Sequence, residues 1–263
     1  MKEASMTNPV LNRRPGPVAA AILAASLALF ALSLSACSGS PAAQGAANGA
    51  TSGMAGAAGT PGAVRTAPAS GPRLELHLVP GKAYSARMGS WPFSYVVQPQ
   101  VAAWLTTSDG TFVEPLLVTA RAAEGSWRMA PAVGRPEALP VFSHLEATAA
   151  DGVSAATSKG ETLHDAGLGA GLPAGRYLVW LEVNRSYDYN AAYPKAGEGV
   201  NGQPSVVYRA ELDLGGGAVT EARFTAVGTG SPDGSDGEVR EGLAGIDSAL
   251  ELFSSLSVSY LPR

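Results

Sequence analysis

The chain has 263 residues, with 18 Lys or Arg against 22 Asp or Glu and a formal net charge of −4. Residues 1–37 hold Lys2, Arg13 and Arg14 against Glu3, so the remainder carries 15 basic and 21 acidic residues, near −6, with no basic run; this argues against nucleic-acid or anionic-lipid binding by an electrostatic surface. Cys37 is the one cysteine, so no intramolecular disulfide forms and the fold rests on its core alone.

Lys2, Arg13 and Arg14 form a basic n-region, and residues 18–34 are an almost uninterrupted apolar run rich in Ala and Leu. Small residues and the lone cysteine follow it, which is the layout of a secretion signal. The run is at the low edge of what spans a bilayer. Leu34, Ser35, Ala36 and Cys37 resemble the lipobox of bacterial lipoproteins. The resemblance implies cleavage before Cys37, so that residues 1–36 are a signal peptide, and acylation of Cys37. Two or more acyl chains give stable anchoring without a spanning helix. Ser38, where some lipoproteins carry Asp, points by the same resemblance to the periplasmic side of an outer membrane if the host has two.

Residues 38–71 are nearly all Ala, Gly, Ser, Thr and Pro, with one charge at Arg65 and no aromatic residue. Such a composition buries too little apolar surface to offset its ordering entropy. The expectation for 37–71 is therefore a lipidated cysteine and a disordered tether, with a root-mean-square reach of roughly 30 Å.

Residues 72–263 suit one domain. In 73–78, Leu74, Leu76 and Leu78 alternate with Arg73, Glu75 and His77, the period of a half-buried strand. Residues 101–106 and 112–120, joined by Ser108-Asp109-Gly110, read as a hairpin. Leu172-Pro173-Ala174-Gly175 is a turn, followed by a buried strand over 176–183. Further strands are predicted over 205–214 and 221–227, and 256–261 as an edge. One short C-terminal helix is predicted over 246–255, with Asp247 as its N-cap and Leu250, Phe253 and Leu256 on one side. The expected fold is mainly β, an immunoglobulin-like antiparallel β-sandwich with long loops.

The Leu172-Pro173-Ala174-Gly175-Arg176-Tyr177 text, the Gln100-Val101-Ala102-Ala103-Trp104-Leu105 strand with its Asp109-Gly110 turn, and residues 151–157 resemble the uncharacterised predicted periplasmic domain-of-unknown-function family. The resemblance covers roughly 73–214 and implies an immunoglobulin-like sandwich without catalytic residues.

Asp151, Ser154, Ala156 and Thr157 also resemble the acceptor motif of periplasmic flavin transferases, Asp-x-x-Ser/Thr-Gly-Ala-Thr, with Ala155 where glycine is usual. That likeness implies FMN joined through its phosphate to the Thr157 hydroxyl by a transferase partner; the other reading of the segment is a polar connection between strands. A second candidate is the loop carrying Tyr187, Asp188, Tyr189, Asn190 and Tyr193. Its rings and polar groups suit stacking on a ligand ring and bonding its edge, or else they pin a long loop to the sandwich.

His77, His144 and His164 are scattered, without metal-ligand spacing. Residues 231–238 are oxygen-rich but lack a full calcium-loop pattern, which favours a solvated turn. There is no Gly-x-Ser-x-Gly elbow, phosphate loop or His-Glu-x-x-His. The expectation is a non-catalytic envelope lipoprotein, with no metal and no resident cofactor, whose sandwich binds or scaffolds an envelope protein or ligand. The competing expectation is a covalent FMN carrier in extracytoplasmic electron transfer.

Overall fold

In the computed structural model, residues 64–65, 71–125, 134–145, 154–155, 160–168, 172–196, 200–214 and 217–262 are described. The strand predicted over 73–78 is β2 (Arg73–Pro80), and Leu74, Leu76 and Leu78 are its buried positions. It pairs antiparallel on one side with β8 (Thr162–Gly167) and on the other with β14 (Phe253–Leu261). With β1 (Val64–Arg65) outside β8 and β11 (Thr220–Arg223) outside β14, these form a five-stranded sheet.

The second sheet has seven strands, in the order β13 (Arg240–Glu241), β12 (Thr225–Thr229), β10 (Val206–Leu214), β9 (Gly175–Asn184), β5 (Gln100–Thr107), β6 (Phe112–Thr119) and β7 (Ser154–Ala155). The predicted hairpin is β5–β6, and its Thr107–Thr111 turn is closed by Thr107 Oγ1 donating to Asp109 and by Asp109 accepting from the Thr111 amide. Pro115, which has no N–H to donate, lies opposite Trp104 where the register shifts, a bulge site that tolerates proline. The Pro173 corner is held by the Tyr177 hydroxyl, which donates to the Pro173 carbonyl at 3.0 Å, in the manner of a tyrosine corner.

The sheets face each other. Leu74, Leu76, Leu78, Leu256 and Val258 from one meet Val101, Leu105, Val179, Leu181, Val183 and Val206 from the other in a single apolar cluster. The architecture is a mainly antiparallel β-sandwich, as expected. All of it belongs to one compact unit, Ala57–Arg263, and the other unit, Met1–Gly56, lies outside the described residues.

Three details differ from the predicted elements. The strand expected over 221–227 is two strands in different sheets. The chain crosses between them at Phe224, whose amide donates to Leu256 O at 3.1 Å and whose ring packs on the core. A one-residue crossing leaves the apolar pattern intact, so periodicity does not reveal it. The C-terminal helix has Asp247 as its cap, accepting from the Ser248 amide at 2.5 Å, but it is one 3₁₀ turn, Ser248–Glu251. Phe253 already belongs to β14, and β14 is interior to its sheet, not an edge. Its central place between β2 and β11 supplies ladder bonds on both sides, and these outweigh a marginal helix.

A second, smaller core covers the outer face of the seven-stranded sheet. Short helices α1 (Ala120–Glu124) and α2 (Pro140–Ser143) occur there, and Val141 and Phe142 of α2 pack with Ala102, Trp104, Val118 and Val207. Trp104 and Trp180 stack with parallel rings at 6.2 Å, and the Arg209 guanidinium lies 5.6 Å above Trp180, a cation–π arrangement.

Candidate functional site

At the end of the sandwich where β9 runs out and β5 begins, Gln100 lies opposite Asn184. The predicted tyrosine loop starts here. Arg185, buried, donates to the Ala83 carbonyl and pairs with the buried Asp188 at 2.5 Å. Asp188 also accepts from Ser248 Oγ at 2.7 Å. Gln203, 1 % exposed, ties the far side of the loop down. Its amide donates to Asp188 O at 2.8 Å, its Nε2 to Ser248 Oγ at 2.7 Å, and its Oε1 accepts from the Asp247 amide at 2.8 Å. The loop thus bonds through the buried side chains of Asp188 and Gln203 to the turn that precedes β14, while Arg185 ties it to Ala83.

This sorts the candidate residues. Asp188 builds the loop from within. Asn190 is used internally, donating to Gly245 O and accepting from the Tyr193 amide, both at 2.8 Å. Tyr193 is half-buried and packs on the main core. Tyr187 and Tyr189 are half-buried too but lie outside the core clusters, with ring centroids 6.4 Å apart edge to face. Tyr187 holds a left-handed backbone, φ 62°, which is rare for a bulky residue and clusters at functional loops.

A neighbouring hairpin extends this surface. It consists of β3 (Ala86–Met88) and β4 (Tyr95–Val97). Tyr95 stands 6.3 Å from Tyr187, edge to face, and a hydrogen bond with Tyr187, more than burial, pushes its hydroxyl above the ordinary tyrosine value. Its tip carries Trp91 and Phe93, which are 91 % and 83 % exposed. Sequence reading passed over this hairpin because two three-residue strands make no periodic signal, although the Trp-Pro-Phe-Ser-Tyr text is aromatic-rich. Compared with family models, curated proteins and solved structures, the chain matches none.

A second site, also unforeseen, lies under α2. Glu182 is fully buried on the outer face of β9, and its carboxylate accepts from Phe142 N at 2.8 Å, Val141 N at 3.2 Å and Ser205 Oγ at 2.6 Å. Burial pushes its carboxyl up to about 7, against the opposing pull of these bonds. Gly230 lies against it: a Cβ there would meet Pro140 Cγ at 2.6 Å and Glu182 Oε1 at 2.9 Å. In the five-stranded sheet His164 is buried, its ring Nε2 3.0 Å from Leu116 O, and desolvation holds its pKa below the usual histidine value.

The remaining sequence candidates are placed as follows. His77 meets Glu161 at 2.5 Å on the partly exposed face of β2. In the acidic turn, Asp233 accepts from Ser231 Oγ and Ser235 N, bonds that hold its carboxyl down at about 2, and Asp236 pairs with Arg240 at 2.8 Å. These carboxylates serve their own turn, and among the described residues no group of three metal-ligating side chains occurs. Of 151–157, only Ser154 and Ala155 are described, as backbone alone, paired parallel with Val118 and Thr119. Asp151 and Thr157 lie outside the described residues, as do Leu34, Ser35, Ala36 and Cys37. No helix among the described residues is long and apolar enough to cross a membrane.

Proposed function

We propose that the chain is a membrane-anchored, non-catalytic envelope lipoprotein whose β-sandwich holds out a binding surface at one pole. The observation that carries the binding part is the tyrosine loop: Arg185, Asp188 and Gln203 hold its backbone from inside while Tyr187 and Tyr189 stay outside the core clusters. A rigid loop with amphipathic rings pays little ordering entropy on binding. The partner is an envelope protein or ligand. The anchoring part rests on the lipobox at Cys37, and the likeness to the periplasmic domain family agrees with it.

The test has two arms. Cys37→Ser is expected to shift the chain from the membrane fraction to the soluble periplasm; an unchanged distribution overturns the anchor. A photo-crosslinking phenylalanine at position 189, in cells, is expected to yield a discrete adduct that is absent when the same group stands at exposed Val219. Equal labelling from both positions overturns the loop as the binding surface.

A second reading, the FMN carrier, rests on the likeness of Asp151, Ser154, Ala156 and Thr157 to the flavin-transferase acceptor motif, of which Ser154 and Ala155 form the last strand of the seven-stranded sheet among the described residues. Its test is intact mass after co-expression with a periplasmic flavin transferase: one FMN less one water, lost in Thr157→Ala, against an unmodified mass.

A further inference from the structure

The described residues expose five large hydrophobic side chains, and four of them, Trp91, Phe93, Tyr95 and Val96, fall within six positions of one hairpin. A fold with a complete core has no internal use for such a cluster, and contiguous exposed apolar surface of this kind marks an interaction site. The hairpin is a defined structure and not a loose end. The Phe93 amide donates to Ser90 O at 2.8 Å, Arg87 Nη1 donates to Ser94 Oγ at 3.1 Å, and Val97 is buried. At Gly89, φ is +77° and a Cβ would meet Phe93 O at 2.8 Å, so the turn requires glycine there.

The chemistry of the hairpin narrows what covers it. From Ala86 to Val97 it carries one charged residue, Arg87, and no Asp, Glu, Asn or Gln. Sites for polar ligands such as sugars need a few precisely placed polar groups around the apolar lining, and the hairpin lacks carboxylates and amides to supply them. Trp and Phe at a tip, Tyr below them and one cation at the base match the interfacial layer of a bilayer, where aromatic rings sit at headgroup level and a basic side chain stays among the headgroups.

Topology supplies the second, independent argument. Val64 pairs with Thr162, and Thr162 lies opposite Leu78, two residues from the end of β2 that leads to the hairpin. Because β1 runs parallel to β8 and away from that end, Val64 lies at the hairpin's pole, two strand spacings or about 10 Å to the side of β2. The 26 residues between Cys37 and Val64 extend at most about 90 Å. An anchor at Cys37 is therefore tied to the domain through a strand that starts at the aromatic pole.

We infer that the Trp91–Phe93 tip seats in the interfacial layer of the membrane that holds the anchor and orients the sandwich on it. The inference rests on the anchored reading above. The test uses the full lipidated protein in vesicles of phosphatidylethanolamine and phosphatidylglycerol, with ordinary or chain-brominated lipid, after flotation. Bromine is expected to quench part of the tryptophan emission, and Trp91→Phe, which keeps an apolar ring at the tip, is expected to remove that quenched part while leaving the near-ultraviolet circular dichroism of the core essentially intact. Failure of the wild type to float overturns the anchored reading. Flotation without quenching, or quenching undiminished in Trp91→Phe, overturns the membrane seat alone. Binding to isolated peptidoglycan that Trp91→Ala abolishes, without bromine quenching, assigns the tip to a glycan and overturns the seat; a tip-dependent dimer in sedimentation, again unquenched, assigns it to a second copy.

Discussion

The Arg185 guanidinium and the Asp188 carboxylate, three positions apart in the chain, meet at 2.5 Å with 9 % and 4 % of their side chains exposed. An ion pair this deep is costly to form and more costly to break from one side, because the surviving charge is left in a low dielectric. Asp188→Ala is expected to destabilise the domain by about 3–5 kcal/mol. Replacing both partners with apolar residues is expected to cost less than that single change. Urea unfolding of the three proteins decides it: a double variant as weak as Asp188→Ala removes the buried-charge explanation.

Glu182 makes the domain sensitive to pH. Its carboxyl titrates near 4.5 when exposed and at about 7 in the fold, so the native state holds the proton more tightly. The contribution is present in full below about 4.5 and is lost as pH rises through 7, amounting to about 3 kcal/mol. His164 acts in the opposite sense: its lowered pKa contributes stability above the ordinary histidine value that is lost on acidification. The difference between wild type and Glu182→Gln isolates the carboxyl. From pH 5 to pH 8 the wild type is expected to lose stability relative to the variant; parallel urea midpoints at all pH values would rule the mechanism out.

Tyr177→Phe removes only the hydroxyl that donates to Pro173 O. A loss of about 1 kcal/mol is expected, or about 2–4 °C in Tm for a domain of this size. Calorimetry showing no shift would mean that water replaces the bond without penalty.

Gly202 sits under the tyrosine loop, and a Cβ on it would meet the Asp188 backbone and the Tyr189 nitrogen, the latter at 2.7 Å. Gly202→Ala is expected to push the loop off Gln203, raising amide exchange at Gln203, whose N–H donates to Asp188 O, and at Tyr187 while leaving β2 and β14 protected. Unchanged exchange at these two amides would show that the loop absorbs the methyl group.

The period-two pattern of Leu74, Leu76 and Leu78, the Asp109-Gly110 turn and the Pro173–Tyr177 corner were legible in the sequence because each depends on neighbours a few residues away. The tyrosine loop was legible as a candidate but not in its division of labour. That Asp188 and Asn190 build the loop while Tyr187 and Tyr189 stay outside the core clusters follows from Ser248, Gln203 and Gly245, partners up to 60 positions distant.

The sequence by itself determined the composition of the chain, the lipobox text at Cys37, the alternation that makes most of the strands and the β-sandwich they build, since local stereochemistry and apolar period act within a few residues. Only the tertiary structure decided that Glu182 lies sealed beneath α2, that the chain changes sheets at Phe224, and that Trp91 and Phe93 stand bare at the pole where Val64 lies. Burial and exposure are set by what packs from elsewhere in the chain. Glu182 looks like any outward-facing strand carboxylate until Val141, Phe142 and Ser205 close over it.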